Sequence, residues 1–311
     1  MMTKRSGRRS NRWEKTKMEE INKSYRFNIG HFECLVIRDT ISPMELDFLF
    51  PNIPAKQLQE LFNQYNIQPG ETMDVMCLFI RTADHAILID TGWGVGPQPN
   101  VGKLVQNLQL EGIPCGEIDT IILSHAHPDH IGGITDAENR LSFPNARYIM
   151  CKKGWGFWTS EPDLTRFDEN IQQEMLASVQ KNLIPIKDRL NLVDGDTEIM
   201  PDIEFISAPG HSPDHEVLVI SSGTEQLLYS CDLFQHPLQM ARPDWCTAFD
   251  LEPEQAIETR TQIIHRITAA NMLVFACHFP FPGLGHIVPK GDIYLWQPID
   301  INVSSANLEL T

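Results

Sequence analysis

The chain has 311 residues, 42% of them hydrophobic and 21% charged, with a formal net charge of −16, the proportions of a soluble globular protein. Residues 1–17 hold seven of the basic residues and one acid, leaving 18 basic against 40 acidic residues in the rest, a field that repels phosphates and argues against a nucleic-acid partner. No apolar run approaches the roughly 18–20 residues that a membrane helix needs, so no membrane partner is expected.

The basic start lacks the apolar core of a secretory signal and reads as a disordered tail over residues 1–24, ahead of one domain over 25–311. Seven cysteines, at positions 34, 77, 115, 151, 231, 246 and 277, form no Cys-x-x-Cys pair. Neither a disulfide framework nor a zinc ribbon follows, and the cytoplasm is the expected compartment.

Phe32 to Ile37 reads as a strand, and Met76 to Thr82 with His85 to Ile89 as a hairpin that ends at Asp90-Thr91-Gly92. Between them, Ala55 to Tyr65 carries helical spacing at Leu58, Leu61 and Phe62 and is expected to wall a pocket. Lys103 to Leu110 predicts a helix, Thr120 to Leu123 a buried strand, Arg147 to Met150 another strand and Ile171 to Asn182 a helix. In the second half, Ile203 to Ile206, Glu216 to Ser221 and Gln226 to Ser230 read as strands. A helix from Pro253 to about Ala269 precedes a strand from Met272 to Phe275. Two blocks of strands followed by helices predict two packed sheets with helices outside, a layered α/β fold.

The run His125-Ala126-His127-Pro128-Asp129-His130 places four potential metal ligands in six residues just beyond an apolar strand. Side chains two apart in extended backbone share a side, so His125 and His127 can converge on one ion while Asp129 and His130 face a second. Asp129 fits either direct ligation or the orienting of a histidine by a hydrogen bond. Mixed imidazole and carboxylate donors suit a catalytic rather than a structural site. Zinc is the first expectation, and manganese, iron or cobalt fit the same donors.

On these residues the chain resembles the metallo-β-lactamase-fold hydrolase superfamily, whose H-x-H-x-D-H signature is matched by His125, His127, Asp129 and His130. The resemblance continues through Ala208-Pro209-Gly210-His211, Ser230-Cys231-Asp232 and Ala276-Cys277-His278, and spans about residues 32 to 290. It implies a four-layer αββα sandwich of the metallo-β-lactamase type. It also implies one metal held by His125, His127 and His211, a second by Asp129, His130 and His278, and Asp232 as the bridge. Asp90, in the family's D-T-G segment, and His215 would then support ligands rather than bind metal.

Two divalent ions about 3.5–4 Å apart hold a hydroxide that attacks an electrophilic centre, which makes water the nucleophile, with Asp129 and Asp232 as the catalytic carboxylates. Asp232-Leu233-Phe234-Gln235, Arg242-Pro243-Asp244-Trp245 and the segment from His278 to His286 look like the branch that contains methyl parathion hydrolase and quorum-quenching lactonases. Gln235 stands where well-known acyl-homoserine lactonases have a tyrosine. The expected activity is hydrolysis of a lactone or carboxylic ester, a small-molecule substrate. The alternatives are a phosphotriester hydrolase and a non-catalytic metal-binding regulator. Trp155, Phe157, Trp158, Phe279 and Phe281 are candidates for an apolar pocket, with Gly154 to Trp158 as a flexible lip and His286 as a cap. A homodimer is the base-rate expectation.

Overall fold

A computed structural model describes residues 23–65, 72–96 and 101–301. Residues 1–22 of the expected basic tail lie outside that range, and Ser24, at its end, is already the first residue of a strand. The first sheet comprises β1 (Ser24–Ile29), β2 (Phe32–Pro43), β3 (Thr72–Arg81), β4 (Ala86–Ile89), β5 (Thr120–Ile122), β6 (Arg147–Cys151) and β7 (Leu190–Val193), in sequence order across the sheet. The second comprises β8 (Thr197–Met200), β9 (Ile203–Ser207), β10 (Glu216–Ser222), β11 (Glu225–Tyr229), β12 (Leu273–Phe275), β13 (Leu284–Lys290) and β14 (Ile293–Pro298), again in order.

Alternation along the strands builds the layers. In β2, Cys34 and Val36 point between the sheets, where they join Leu78, Ile87 and Ile122 against Phe205, Leu218 and Tyr229. Leu35 and Ile37 point the other way, as the period of two requires. Among the described residues the α-helices are α1 (Leu46–Leu49), α2 (Ala55–Tyr65), α3 (Leu104–Leu110), α4 (Pro128–Ile131), α5 (Lys152–Trp158), α6 (Glu169–Ser178), α7 (Leu238–Ala241) and α8 (Pro253–Ala270). Leu104 and Leu108 of α3, Trp158 of α5 and Met175 of α6 cover the outer face of the first sheet. Ile263, Ile264 and Ile267 of α8 cover that of the second. This is the expected αββα sandwich.

The strands read from the sequence are all present, but β1, β7, β8, β13 and β14 were not anticipated. β7 and β8 are four residues each and only half-buried, too short to show a period. The expected lip at Gly154 to Trp158 is instead helix α5. A Cβ at Gly154 would stand 2.6 Å from Asp214 Oδ2 and 2.6 Å from Met150 Cε, so this glycine lets the helix lie close and is not a hinge. Helix α2 packs Leu58 and Phe62 onto Leu238 and Trp245; it backs the segments that flank the cavity instead of walling it. No helix among the described residues is long and apolar enough to cross a membrane.

Candidate metal centre

Five strand ends meet at one edge of the sandwich. β4 and β5 run parallel, as do β11 and β12, and β9 shares the direction of β11 because both oppose β10. Just past these ends lie Asp90, the run from His125 to His130, His211, Asp232 and His278. Pro128 opens α4 directly after His127, so the chain turns there and carries Asp129 and His130 to a different side from His125.

The structure gathers two groups of side chains. Donor atoms of His125, His127 and His211 lie within 4.8 Å of one another, as do those of His130, Asp232, Cys277 and His278. Asp232 divides its carboxylate between them: Oδ1 is 2.9 Å from His130 Nε2 and 3.0 Å from His278 Nε2, while Oδ2 is 3.3 Å from His211 Nε2. Asp129 Oδ2 stands 3.6 Å from both His130 Nε2 and His278 Nε2. His127 Nδ1 and His211 Nε2 are 2.8 Å apart. Cys277, which the motif reading passed over as a mere neighbour of His278, donates from Sγ to Asp232 Oδ1 at 3.7 Å, and burial pushes its thiol pKa up.

The rings of His130, His278 and His211 are held from behind. His130 Nδ1–H donates to Asp90 Oδ2 at 2.8 Å, and Asp90 also accepts from Ser124 N and Oγ and from Tyr229 Oη. His278 Nδ1–H donates to the Asp74 carbonyl at 2.9 Å. Asp250 Oδ1 lies 3.3 Å from His211 Nδ1. His215 donates from Nδ1 to the Ala208 carbonyl and accepts the Asp232 N–H at Nε2, 3.0 Å each. Asp90 and His215 thus hold the site without facing its centre. Asp250 carries no local sequence pattern and was not foreseen.

Around His125 and His127, electrostatics favour cation binding. Burial, reinforced by His130 and His127, pushes His125 well below the usual histidine range, and burial together with His211 does the same to His127. Neutral imidazole is the form that ligates metals. Burial opposes a charge on Asp232, yet His278, His130 and His211 around it hold its carboxyl well below the usual range. His125 Nε2 and His127 Nε2 are buried without a hydrogen-bond partner, an arrangement that is costly and that a divalent cation would relieve. Mixed nitrogen and oxygen donors fit zinc and similar ions.

His127, Asp129, His211, Asp232 and His278 line one side of a cavity of about 140 Å³. Its walls are mostly apolar, from Met44, Met73, Trp93, Ile171, Met175 and Phe249, with Ser42, Glu174 and Gln235 among them. None of the five aromatics proposed from the sequence lines it. Trp158 is buried behind His127, with ring centroids 5.5 Å apart, and donates from Nε1 to Asp214. Trp155 and Phe157 pack on the first sheet's outer core, Phe279 packs on Trp296, and Phe281 lies under the Arg38 guanidinium. His286 sits in β13 opposite Gln297, away from the cavity. Gln235 does line it and donates from Nε2 to Asp232 Oδ2 at 3.1 Å.

A family model described as the metallo-beta-lactamase superfamily matches residues 71–278. An N-acyl homoserine lactonase from Bacillus sp is 25% identical over 177 residues, 50% of this chain and 62% of that relative. One from Bacillus thuringiensis is 25% identical over 181 residues, 51% and 63% of the two chains. The chain thus spans less than two thirds of the length of these curated relatives. Among solved structures, AidC, a dizinc quorum-quenching lactonase in complex with a homoserine product, superposes with a TM-score of 0.82 at 29% identity, over 89% of this chain and 97% of its own. The hydrolase AbOPH of the beta-lactamase superfamily gives 0.81 at 25% identity, over 90% and 99%. The span matched by the family model runs from the start of β3 to His278 and takes in every member of the His/Asp constellation, and the chain belongs to the metallo-beta-lactamase superfamily.

Proposed function

We propose that this chain is a metal-dependent hydrolase with two divalent metal ions, zinc first among them, acting on a lactone or carboxylic ester. The observation that carries the reading is the division of Asp232, whose two oxygens face two separate groups of histidines beside one mostly apolar cavity. In this reading His125, His127 and His211 would hold one ion and Asp129, His130 and His278 the other, with Asp232 available to both. Two bound ions supply the Lewis acidity that activates water and polarises a carbonyl.

The chain's own residues do the rest. Met44, Met73, Ile171 and Met175 bind an apolar acyl group and exclude bulk water. Gln235 Nε2 fixes Asp232 Oδ2, which keeps that carboxylate from rotating. Asp129 and Asp232 are the groups placed to pass the proton released by water to the departing alkoxide, so that the carbonyl C–O bond breaks and an acid and an alcohol form. Glu174 is the one charged side chain of the lining outside the His/Asp group among the described residues, and its carboxylate disfavours anionic substrates. The similarity to lactonases supports the ester or lactone choice over other bonds.

The test is a panel of acyl lactones, carboxylic esters and phosphotriesters offered to metal-loaded protein, with Asp232→Asn alongside. Turnover of lactones or esters that falls more than about 100-fold in the variant, beyond what supporting partners of ligands typically cost, is the expected result. A preference for phosphotriesters would replace the substrate assignment. Absence of turnover on every substrate by protein that binds two metals would leave a metal-binding regulator instead.

A further inference from the structure

We infer that the buried Arg260 guanidinium is a positioning residue for one half of the metal centre, the half that contains His211. The inference rests on the two-metal reading above. Arg260 lies in α8 and is 1% exposed. It donates from Nε to the Leu233 carbonyl at 2.9 Å and from Nη1 to the Pro243 and Trp245 carbonyls at 2.8 and 3.1 Å. From Nη2 it reaches Asp250 Oδ2 at 3.4 Å. Leu233 follows Asp232, and the other oxygen of Asp250 is the one at His211 Nδ1. One cation therefore braces both the turn that carries the shared carboxylate and the carboxylate behind His211.

A second path closes the circuit. The Trp245 carbonyl that accepts from Arg260 also accepts from Gln239 Nε2 at 3.1 Å, and Gln239 Oε1 accepts the Gln235 N–H at 2.8 Å. Gln235 Nε2 in turn donates to Asp232 Oδ2. Arg260, Gln239, Gln235 and Asp250 are all buried. Groups so costly to desolvate are often replaced by apolar side chains with no loss of stability, so packing alone does not account for four of them joined around two donors of one site.

The other half has different supports. His130 leans on Asp90 beyond β4, and His278 on the Asp74 carbonyl of β3, both in the first sheet. Neither of these supports belongs to the circuit, which meets His130 and His278 only at its end, Asp232 Oδ1. Loss of the Arg260 network should consequently loosen the ion at His211 far more than the other, an asymmetry that a general loss of stability would not produce.

The experiment is cobalt(II) binding to the metal-free full chain, read by chelator competition and by the visible absorption of the bound ion, for the parent, Asp250→Asn and Arg260→Lys. The parent should take two equivalents. Each folded variant should bind one equivalent about 10- to 100-fold more weakly, the range that partners of metal-ligating histidines command, with the spectrum of that ion altered and the other equivalent weakened far less. Two parent-like equivalents in the folded variants would overturn the inference, and so would equal weakening of both. If Arg260→Lys does not fold, Asp250→Asn decides, since it is isosteric and leaves Arg260 in place. A parent chain that takes fewer than two equivalents would overturn the two-metal reading itself, and the inference with it, before any variant is compared.

Discussion

Glu216 sits 2% exposed at the start of β10, with Oε2 lacking any hydrogen-bond partner and Oε1 accepting from Ser207 Oγ at 3.3 Å. Burial pushes its carboxyl up to about 7 from an ordinary value of 4.5. Through this group the folded state binds more protons than the unfolded one between those values, so its contribution to stability is greatest below about 4.5 and is lost as pH rises through 7, on the order of 3 kcal/mol. Glu216→Gln should melt near the parent at pH 4.5 and above it at pH 8; a difference in Tm that does not change with pH would count against this. The candidate ligands His125, His127, Asp129 and His130 were legible in the sequence because four donors in six residues is a local pattern. Asp250, Arg260 and Trp93 were not, because their relation to the site is set by packing between segments far apart in the chain. Aromatic content misled for the same reason: Trp158 and Phe279 look like pocket walls in the sequence, but the strands and helices that carry them turn them into the core.

At the scale of elements, the turn after His130 and the loop after β4 are held together by close backbone approach. A Cβ at Gly132 would meet the Trp93 carbonyl oxygen at 2.1 Å, and Trp93 N is fixed by Asp39 Oδ2 at 3.0 Å, so the loop cannot simply yield. Gly132→Ala should lower stability by about 1–3 kcal/mol, the cost of overpacking, measured by urea denaturation, and should raise KM because Trp93 lines the cavity. Unchanged stability and KM would show that the loop moves freely. Strands with continuous apolar runs, such as Ala86–Ile89 and Glu216–Ser222, were legible because both faces are buried. β13, LGHIVPK, mixes glycine, proline and lysine and gains its place by pairing six residues with β14, a non-local contact that no window of sequence contains.

Across the whole molecule, the two sheets bring five strand ends to one edge and leave the His/Asp constellation beside a mostly apolar cavity. The order of layers was legible from two blocks of strands and helices, since each apolar face must be buried against another. Which side chains surround the substrate was not, since Met44, Met73 and Phe249 reach the cavity only through the fold. On the proposed function, the acidic body and the mostly apolar walls disfavour an anionic substrate. The most direct test is a zinc titration of the metal-free chain, with hydrolysis of an acyl lactone followed at each addition. Turnover should be absent without metal and reach its plateau at two equivalents per chain, whereas full turnover in the metal-free chain, or a plateau at one equivalent, would contradict the two-metal account.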